Sequence, residues 1–338
     1  MFRKHWIVLA LMITGVYACH KETMDIFAGF QKPANFPEPV YHFSTNAVTK
    51  EGFELGRKLF YDPLLSRNNT ISCGSCHIQT SAFTHHGHDV SHGIDDRLGS
   101  RNSPAIMNLA WNPALMWDGG IFDLDLQPIA PVTNHVEMDE TMENVLDKLK
   151  NSSVYPALFK RAFGSDEITA ARTLKALSQF MLMCVSSNSK YDKVKRNEGE
   201  AFTTDEQAGY QLVTQKCSPC HKEPLFTDNS FRNNGIAVGA NDDKGRYMVT
   251  VTAGDEYKFK VPSLRNVELT APYMHDGRFY TLDAVLDHYT SHVQQTPNLD
   301  PLLSAGIPLG AAEKTQVIAF LKTLTDREFT SNRLLSEQ

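Results

Sequence analysis

Several things are scarce in this chain, and each scarcity excludes something. Beyond residue 16 no stretch is long and apolar enough to span a bilayer. Charge of one sign is not concentrated: the net charge of -6 is mild and gives no electrostatic reason to expect nucleic acid. Alternating strand patterns are rare, and the best candidate, residues 247–251, is short. Cysteine is sparse, with 6 in 338 residues. No Cys-x-x-Cys occurs beyond two copies, each completed by His, which argues against a paired zinc site.

Those two copies are Cys73-Gly74-Ser75-Cys76-His77 and Cys217-Ser218-Pro219-Cys220-His221. The pattern attaches a c-type haem. Two intervening residues let both sulfurs add across the vinyl groups at the ring edge, while the adjacent imidazole reaches the iron at the centre. Two motifs therefore predict two covalent haem c groups, with His77 and His221 as the proximal ligands.

The remaining cysteines read differently. Residues 1–19 place Arg3 and Lys4 ahead of an apolar run over 6–16, as a secretory signal does. Val16-Tyr17-Ala18-Cys19 resembles a bacterial lipobox, in which Cys19 bears lipid and tethers the mature protein to a membrane without spanning it. Cleavage near Ala18 without lipid is the alternative, and both predict export to the periplasm. Cys184 lies in an apolar helical stretch and reads as a small buried hydrophobe.

About 320 residues follow the signal, enough for two domains, and 41% hydrophobic content is enough to fill their cores. Residues 20–39 read as a linker. The fold class expected is mainly α, with an N-terminal cytochrome c-like domain over 40–190 and a C-terminal one over 191–338, each wrapped round one haem. The polar stretch 188–199 marks the boundary. Phe53, Leu55, Leu59 and Phe60 predict a helix before the first motif. Ser165 is expected to start a helix carrying Ile168, Ala171, Leu174, Leu177 and Met181. Thr203-x-x-Glu206 predicts a capping box for the helix that delivers Cys217. Val317, Phe320, Leu321 and Leu324 predict a final amphipathic helix.

Gly56-Arg57-Lys58-Leu59-Phe60-Tyr61-Asp62-Pro63-Leu64-Leu65-Ser66, running into Cys73, resembles the approach to the first haem in bacterial dihaem cytochrome c peroxidases and MauG enzymes. Arg101-Asn102-Ser103-Pro104, Trp117-Asp118-Gly119 and Val136-Glu137-Met138 match that family in the same order. So do Pro262-Ser263-Leu264-Arg265-Asn266-Val267 and Leu269-Thr270-Ala271-Pro272-Tyr273-Met274-His275-Asp276-Gly277.

The resemblance implies reduction of hydrogen peroxide to water, with electrons from a small cytochrome c or copper protein entering at the C-terminal haem. It implies that Glu137 moves the proton, a general acid–base task, with Gln127 beside it. It places Trp117 between the haems and counts Arg265 among the residues that hold the cofactors. Asn102, Thr270 and Pro272 match positions that supply oxygens to a calcium ion, and homodimers are usual in the family.

For the sixth ligands, the family's methionine position on the second haem falls on Tyr289, as in MauG enzymes. His288 and His292 flank it, and Met274 reads as packing. On the first haem, His92 is nearest to the displaceable histidine of the peroxidases, while His85, His86 and His88 read as solvated loop. Two alternatives stand beside the peroxidase: a MauG-type oxidase that modifies a partner protein, and a non-catalytic dihaem electron carrier. Glu137 and Gln127 speak against the carrier.

Overall fold

A computed structural model of the protein describes residues 27–338. The signal segment and Cys19 lie outside the described residues. Among the described residues, apart from one two-stranded ribbon, the regular structure is helical.

The expected helix before the first motif is Lys50–Tyr61. Thr49 caps it by accepting from Gly52 N at 3.0 Å, which satisfies one of the free N–H groups at the helix start. Phe53, Leu55, Leu59 and Phe60 form its buried face. That face packs on the helix Ala170–Met183, whose buried residues include Leu174, Leu177 and Met181. This second helix starts later than Ser165, because Thr169 is the residue that caps it, accepting from Arg172 N at 3.3 Å.

The two helices cross so closely that a Cβ at Gly56 would lie 1.9 Å from the Ala176 carbonyl oxygen. Only glycine allows that approach. The second half repeats the device. Helix Thr204–Lys216, opened by the expected Thr203/Glu206 capping box, crosses helix Ala311–Lys322. A Cβ at Gly209 would lie 1.9 Å from the Gln316 oxygen.

The buried apolar residues form two clusters. The larger runs from Phe36 to Cys184 and includes Phe329 and Leu335 from the chain end. The smaller runs from Tyr191 to Leu324. The last residues thus return to the first cluster, where Leu334 and Leu335 carbonyls accept from Arg57 and Tyr61. Ala311–Lys322 is therefore not the last helix, since Arg327–Thr330 follows, and Leu324 lies past its end.

Three expectations change. Residues 247–251 are no strand: Tyr247–Thr250 is a single helical turn, closed by Val251 at φ 52°. The strands are Phe231–Arg232 and Phe259–Lys260, antiparallel, with Phe231 opposite Lys260. The polar stretch 188–199 contains the helix Lys190–Lys195, with Tyr191 and Asp192 buried. Of the expected linker, Phe27 and Phe30 pack on the first cluster and Phe36 is buried within it.

Between the clusters runs a buried polar seam. Asp326 accepts from the backbone of Ser187 and Asn188, and its own N–H donates to Asn266 Oδ1 at 2.8 Å. Arg265 and Asp192 form a bidentate pair across the seam at 2.8 and 2.9 Å.

Candidate functional site

One cavity of about 1000 Å³ reaches both motifs: Cys76 and His77 line it at one end, Cys217, Cys220 and His221 at the other.

The two motif histidines are held alike. His77 follows the short helix Cys73–Cys76, and its Nδ1 donates to the Phe83 carbonyl at 2.8 Å. His221 Nδ1 is shared between the Phe226 and Pro262 carbonyls, both at 3.1 Å. A carbonyl can only accept, so Nδ1 carries the proton and Nε2 keeps its lone pair. Burial lowers both pKa values and keeps the rings neutral. Burial also pushes the Cys73 thiol up to about 12 and those of Cys76 and Cys217 to about 11.

The cavity's cationic side chains supply a further test of fit. Arg101 is bound to Asp118 and Asp243, and Arg232 to Asp228 and Asp300. Lys260 also lines the cavity, but its ammonium has no hydrogen bond or ion pair among the described residues. Burial lowers it to about 8. A cation on a largely apolar cavity wall without an anion is costly, and a porphyrin with two carboxylate arms supplies one. The histidines, thiols and Lys260 together fit haem c.

At the first motif's end, Glu137, Asn134, Gln127 and Met116 line the cavity. Glu137 Oε1 accepts from Asn134 Nδ2 at 2.8 Å. Burial raises the Glu137 pKa, and the Asn134 hydrogen bond opposes that. Gln127 Nε2 points to Met116 Sδ at 3.8 Å. His92 is not on the cavity wall; its ring packs on His88, with centroids 4.3 Å apart. His85 stacks on His88 at 4.4 Å and lies 5.9 Å from the His92 ring; it is buried, so the solvated-loop reading fails for it. No group of three or more His, Cys, Asp or Glu among the described residues is arranged to hold a metal ion.

Tyr289, Met274 and Asn234 line the other end. Tyr289 sits in the π-helical turn His288–His292. Burial raises its pKa, and hydrogen bonding from the Asn234 side chain works against that rise. His288 and His292 are off the wall, bonded to the carbonyls of Asn234 and Asp287, each at 3.0 Å.

Trp117 also lines the cavity, and its indole N–H donates to the Asn102 carbonyl at 2.8 Å. Asn102, Thr270 and Pro272 all line the cavity. The Asn102 carbonyl is thus engaged by Trp117, and its side-chain amide by the Asp89 carbonyl at 3.1 Å.

Arg265 requires a correction. It is fully buried and off the cavity wall, with its guanidinium bound to Asp192, Pro224 O and Ser186 O. No donor is left for a cofactor, and its place is in the seam.

Sequence reasoning missed Asn134, Met116, Asn234 and Lys260. Asn134 lies three residues before Glu137, a spacing that offered a signal. For Asn234 and Lys260 no local pattern did so, because the cavity draws them from distant segments.

A family profile described as di-haem cytochrome c peroxidase matches residues 50–200. The methylamine utilization protein MauG of Methylorubrum extorquens is 34% identical, over 91% of this chain and 86% of its own. Cytochrome c551 peroxidase of Nitrosomonas europaea is 36% identical over 82% of each chain. A solved MauG-like protein associated with microbial copper homeostasis superposes with a TM-score of 0.84 at 32% identity, covering 90% of this chain and 98% of its own. With both motif histidines on a single cavity wall and relatives of this kind along nearly its whole length, the chain belongs to the di-haem cytochrome c peroxidase and MauG family.

Proposed function

We propose that the protein is a peroxidase that reduces hydrogen peroxide to water with electrons from a small cytochrome c or copper protein. The observation that carries this reading is Glu137, a carboxyl on the same cavity wall as His77, held by Asn134 and raised by burial. Haem, held covalently by Cys73 and Cys76 and by Cys217 and Cys220, supplies the iron that binds peroxide and the second centre that stores an electron.

The chain's own residues do the rest. His77 and His221 offer neutral Nε2 atoms. Glu137 takes the proton from the near peroxide oxygen and delivers it to the far one, general acid–base work of roughly 100-fold or more. Asn134 orients that carboxylate, and Gln127 adds a polar amide nearby. Trp117 lies on the route between the two ends, and Lys260 faces the cofactor carboxylates.

The same reading has each half enclose one haem, a calcium ion near Asn102, Thr270 and Pro272, and a protein exported to the periplasm and tethered through Cys19. A non-catalytic electron carrier has no use for Glu137.

The test is Glu137→Gln. Turnover with peroxide and a reduced cytochrome should fall roughly 100-fold or more while both haems stay attached; an unchanged rate would sink the assignment. A MauG-type oxidase acting on a partner protein is the second reading, favoured by Tyr289 on the second wall where the peroxidases carry methionine. Oxidation of a partner without turnover of a small cytochrome would decide for it.

A further inference from the structure

Glu137 is backed by a turn that belongs to the loop after the first motif. The turn runs from Gly93 to Arg97 and closes on itself: Gly93 N donates to the Arg97 carbonyl at 2.9 Å, and Arg97 N to the Ile94 carbonyl at 3.0 Å. It grips the Glu137 segment through hydrogen bonds at both ends. Ile94 N donates to the Glu137 carbonyl at 2.7 Å, and Arg97 Nη1 donates to the His135 carbonyl at 2.7 Å. Gly93 lies closest of all. A Cβ on it would stand 2.1 Å from the Val136 carbonyl oxygen, 2.5 Å from Glu137 Cα and 2.6 Å from the Glu137 carbonyl oxygen.

Backbone conformation does not call for this glycine. Its φ of -107° is negative and its chain is extended, so no left-handed geometry demands the missing side chain. What excludes a side chain is the approach itself. The atoms in the way are main chain, so no change of rotamer can make room.

The same loop touches the first motif on its other side, where the His92 carbonyl oxygen lies 3.3 Å from Cys76 Sγ. A run of direct contacts from Cys76 through His92 and Gly93 to Glu137 thus sets how far the carboxyl stands from the haem attachment. Asn134 cannot set that distance. It orients the carboxylate, but Glu137 N donates to the Asn134 carbonyl at 3.0 Å, so the two move as one segment.

We infer that Gly93 is a positioning residue for Glu137: its missing side chain lets the turn seat against the Glu137 backbone and fixes the reach of the carboxyl into the first end of the cavity. This rests on Glu137 as the group that moves the peroxide proton. A methyl group at Gly93 has to push that backbone back by about 1 Å, and a misplacement of this size costs a catalytic group up to roughly 100-fold.

The experiment uses the full-length dihaem protein as Gly93→Ala, Glu137→Gln and the double variant Gly93→Ala/Glu137→Gln. Gly99→Ala is the control in the same loop, because its Cβ would press on the rotatable Ser91 hydroxyl rather than on main chain. Arg97→Ala loosens the turn without a wedge and serves if Gly93→Ala loses haem. The readouts are haem content, the ferric electron paramagnetic resonance, peroxide turnover with a reduced cytochrome, and the rate of cyanide binding to the ferric protein. Cyanide probes the same base without turnover, since neutral hydrogen cyanide has to give up its proton to bind as the anion.

Gly93→Ala should keep both haems and slow turnover and cyanide binding alike, roughly tenfold to a hundredfold, with Gly99→Ala near wild type. In the Glu137→Gln background the same change should add little, because the group it displaces is already gone. Wild-type rates in Gly93→Ala beside an impaired Glu137→Gln would overturn this inference and leave Glu137 standing. Losses that multiply in the double variant would overturn it too, since Gly93 would then act elsewhere. Where Gly93→Ala loses haem, Arg97→Ala decides by the same two comparisons. A wild-type rate in Glu137→Gln would overturn the Glu137 reading and this inference with it.

Discussion

Lys260 is tied to Trp117 through the backbone: its amide donates to the Trp117 carbonyl at 2.7 Å. Both residues line the cavity, and Lys260 also stands opposite Phe231 in the ribbon. A cation there makes reduction of a nearby centre easier.

Lys260→Met is expected to lower a haem midpoint potential, and Lys260→Arg to preserve it. At an effective dielectric near 20, one charge roughly 8–16 Å from a centre is worth about 1–2 kcal/mol, on the order of 50–100 mV for one electron. Redox titration of the two variants with matched haem content checks this. Equal potentials in the Met variant and the wild type would mean that the ammonium meets no carboxylate of the cofactor.

Glu137 carries a pH prediction. Its pKa lies above the usual 4.5 because burial disfavours the charged form, while the Asn134 amide favours it. A base with a raised pKa works only above it, so kcat/KM should fall on the acid side at a pH above that of an ordinary carboxylate. Asn134→Ala removes the opposing hydrogen bond and should move this limb to higher pH. A limb that stays in place would separate Glu137 from the proton step.

The position of His92 predicts the resting state of the first iron. Its ring packs on His88 rather than on the cavity wall. The oxidised protein should therefore give a high-spin ferric resonance, unchanged in His92→Ala. Two low-spin signals, one of them lost in His92→Ala, would put this imidazole on the iron at rest.

How much was legible beforehand varied with the range of the interaction. The helix Lys50–Tyr61 and the Thr203/Glu206 capping box were readable because each depends on a handful of neighbouring residues. The two Cys-x-x-Cys-His motifs were readable for the same reason. Residues 247–251 misled, because their alternating pattern suggested a strand, yet Met248 and Val251 are exposed and Val251 turns left-handed. Arg265 misled in another way: it sits in a family motif, but its partner Asp192 lies in a stretch that composition marked as a boundary. Asn234 and Lys260 acquire meaning only once a distant cavity wall is assembled, which no local pattern encodes.

The Arg265–Asp192 pair yields the last prediction. Both side chains are fully buried, with Nη2 and Oδ1 2.8 Å apart. Burial alone would raise the Asp192 pKa, but hydrogen bonds and charge from Arg265 carry it below the usual 3.8. A carboxyl depressed in the folded state contributes stability above its unfolded pKa, and this is lost as pH falls through the folded value. The contribution should therefore be complete at neutral pH and fade only below the ordinary aspartate range. Asp192→Asn leaves the guanidinium buried without its counter-charge and should cost about 3–5 kcal/mol. Replacing both partners with apolar residues of similar volume should cost less than that single change, because no uncompensated charge remains. Thermal melts of the haem-loaded variants at neutral pH decide the point. If the double replacement is the more damaging, then the bonds from Arg265 to Pro224 and Ser186, rather than the ion pair, hold the seam together.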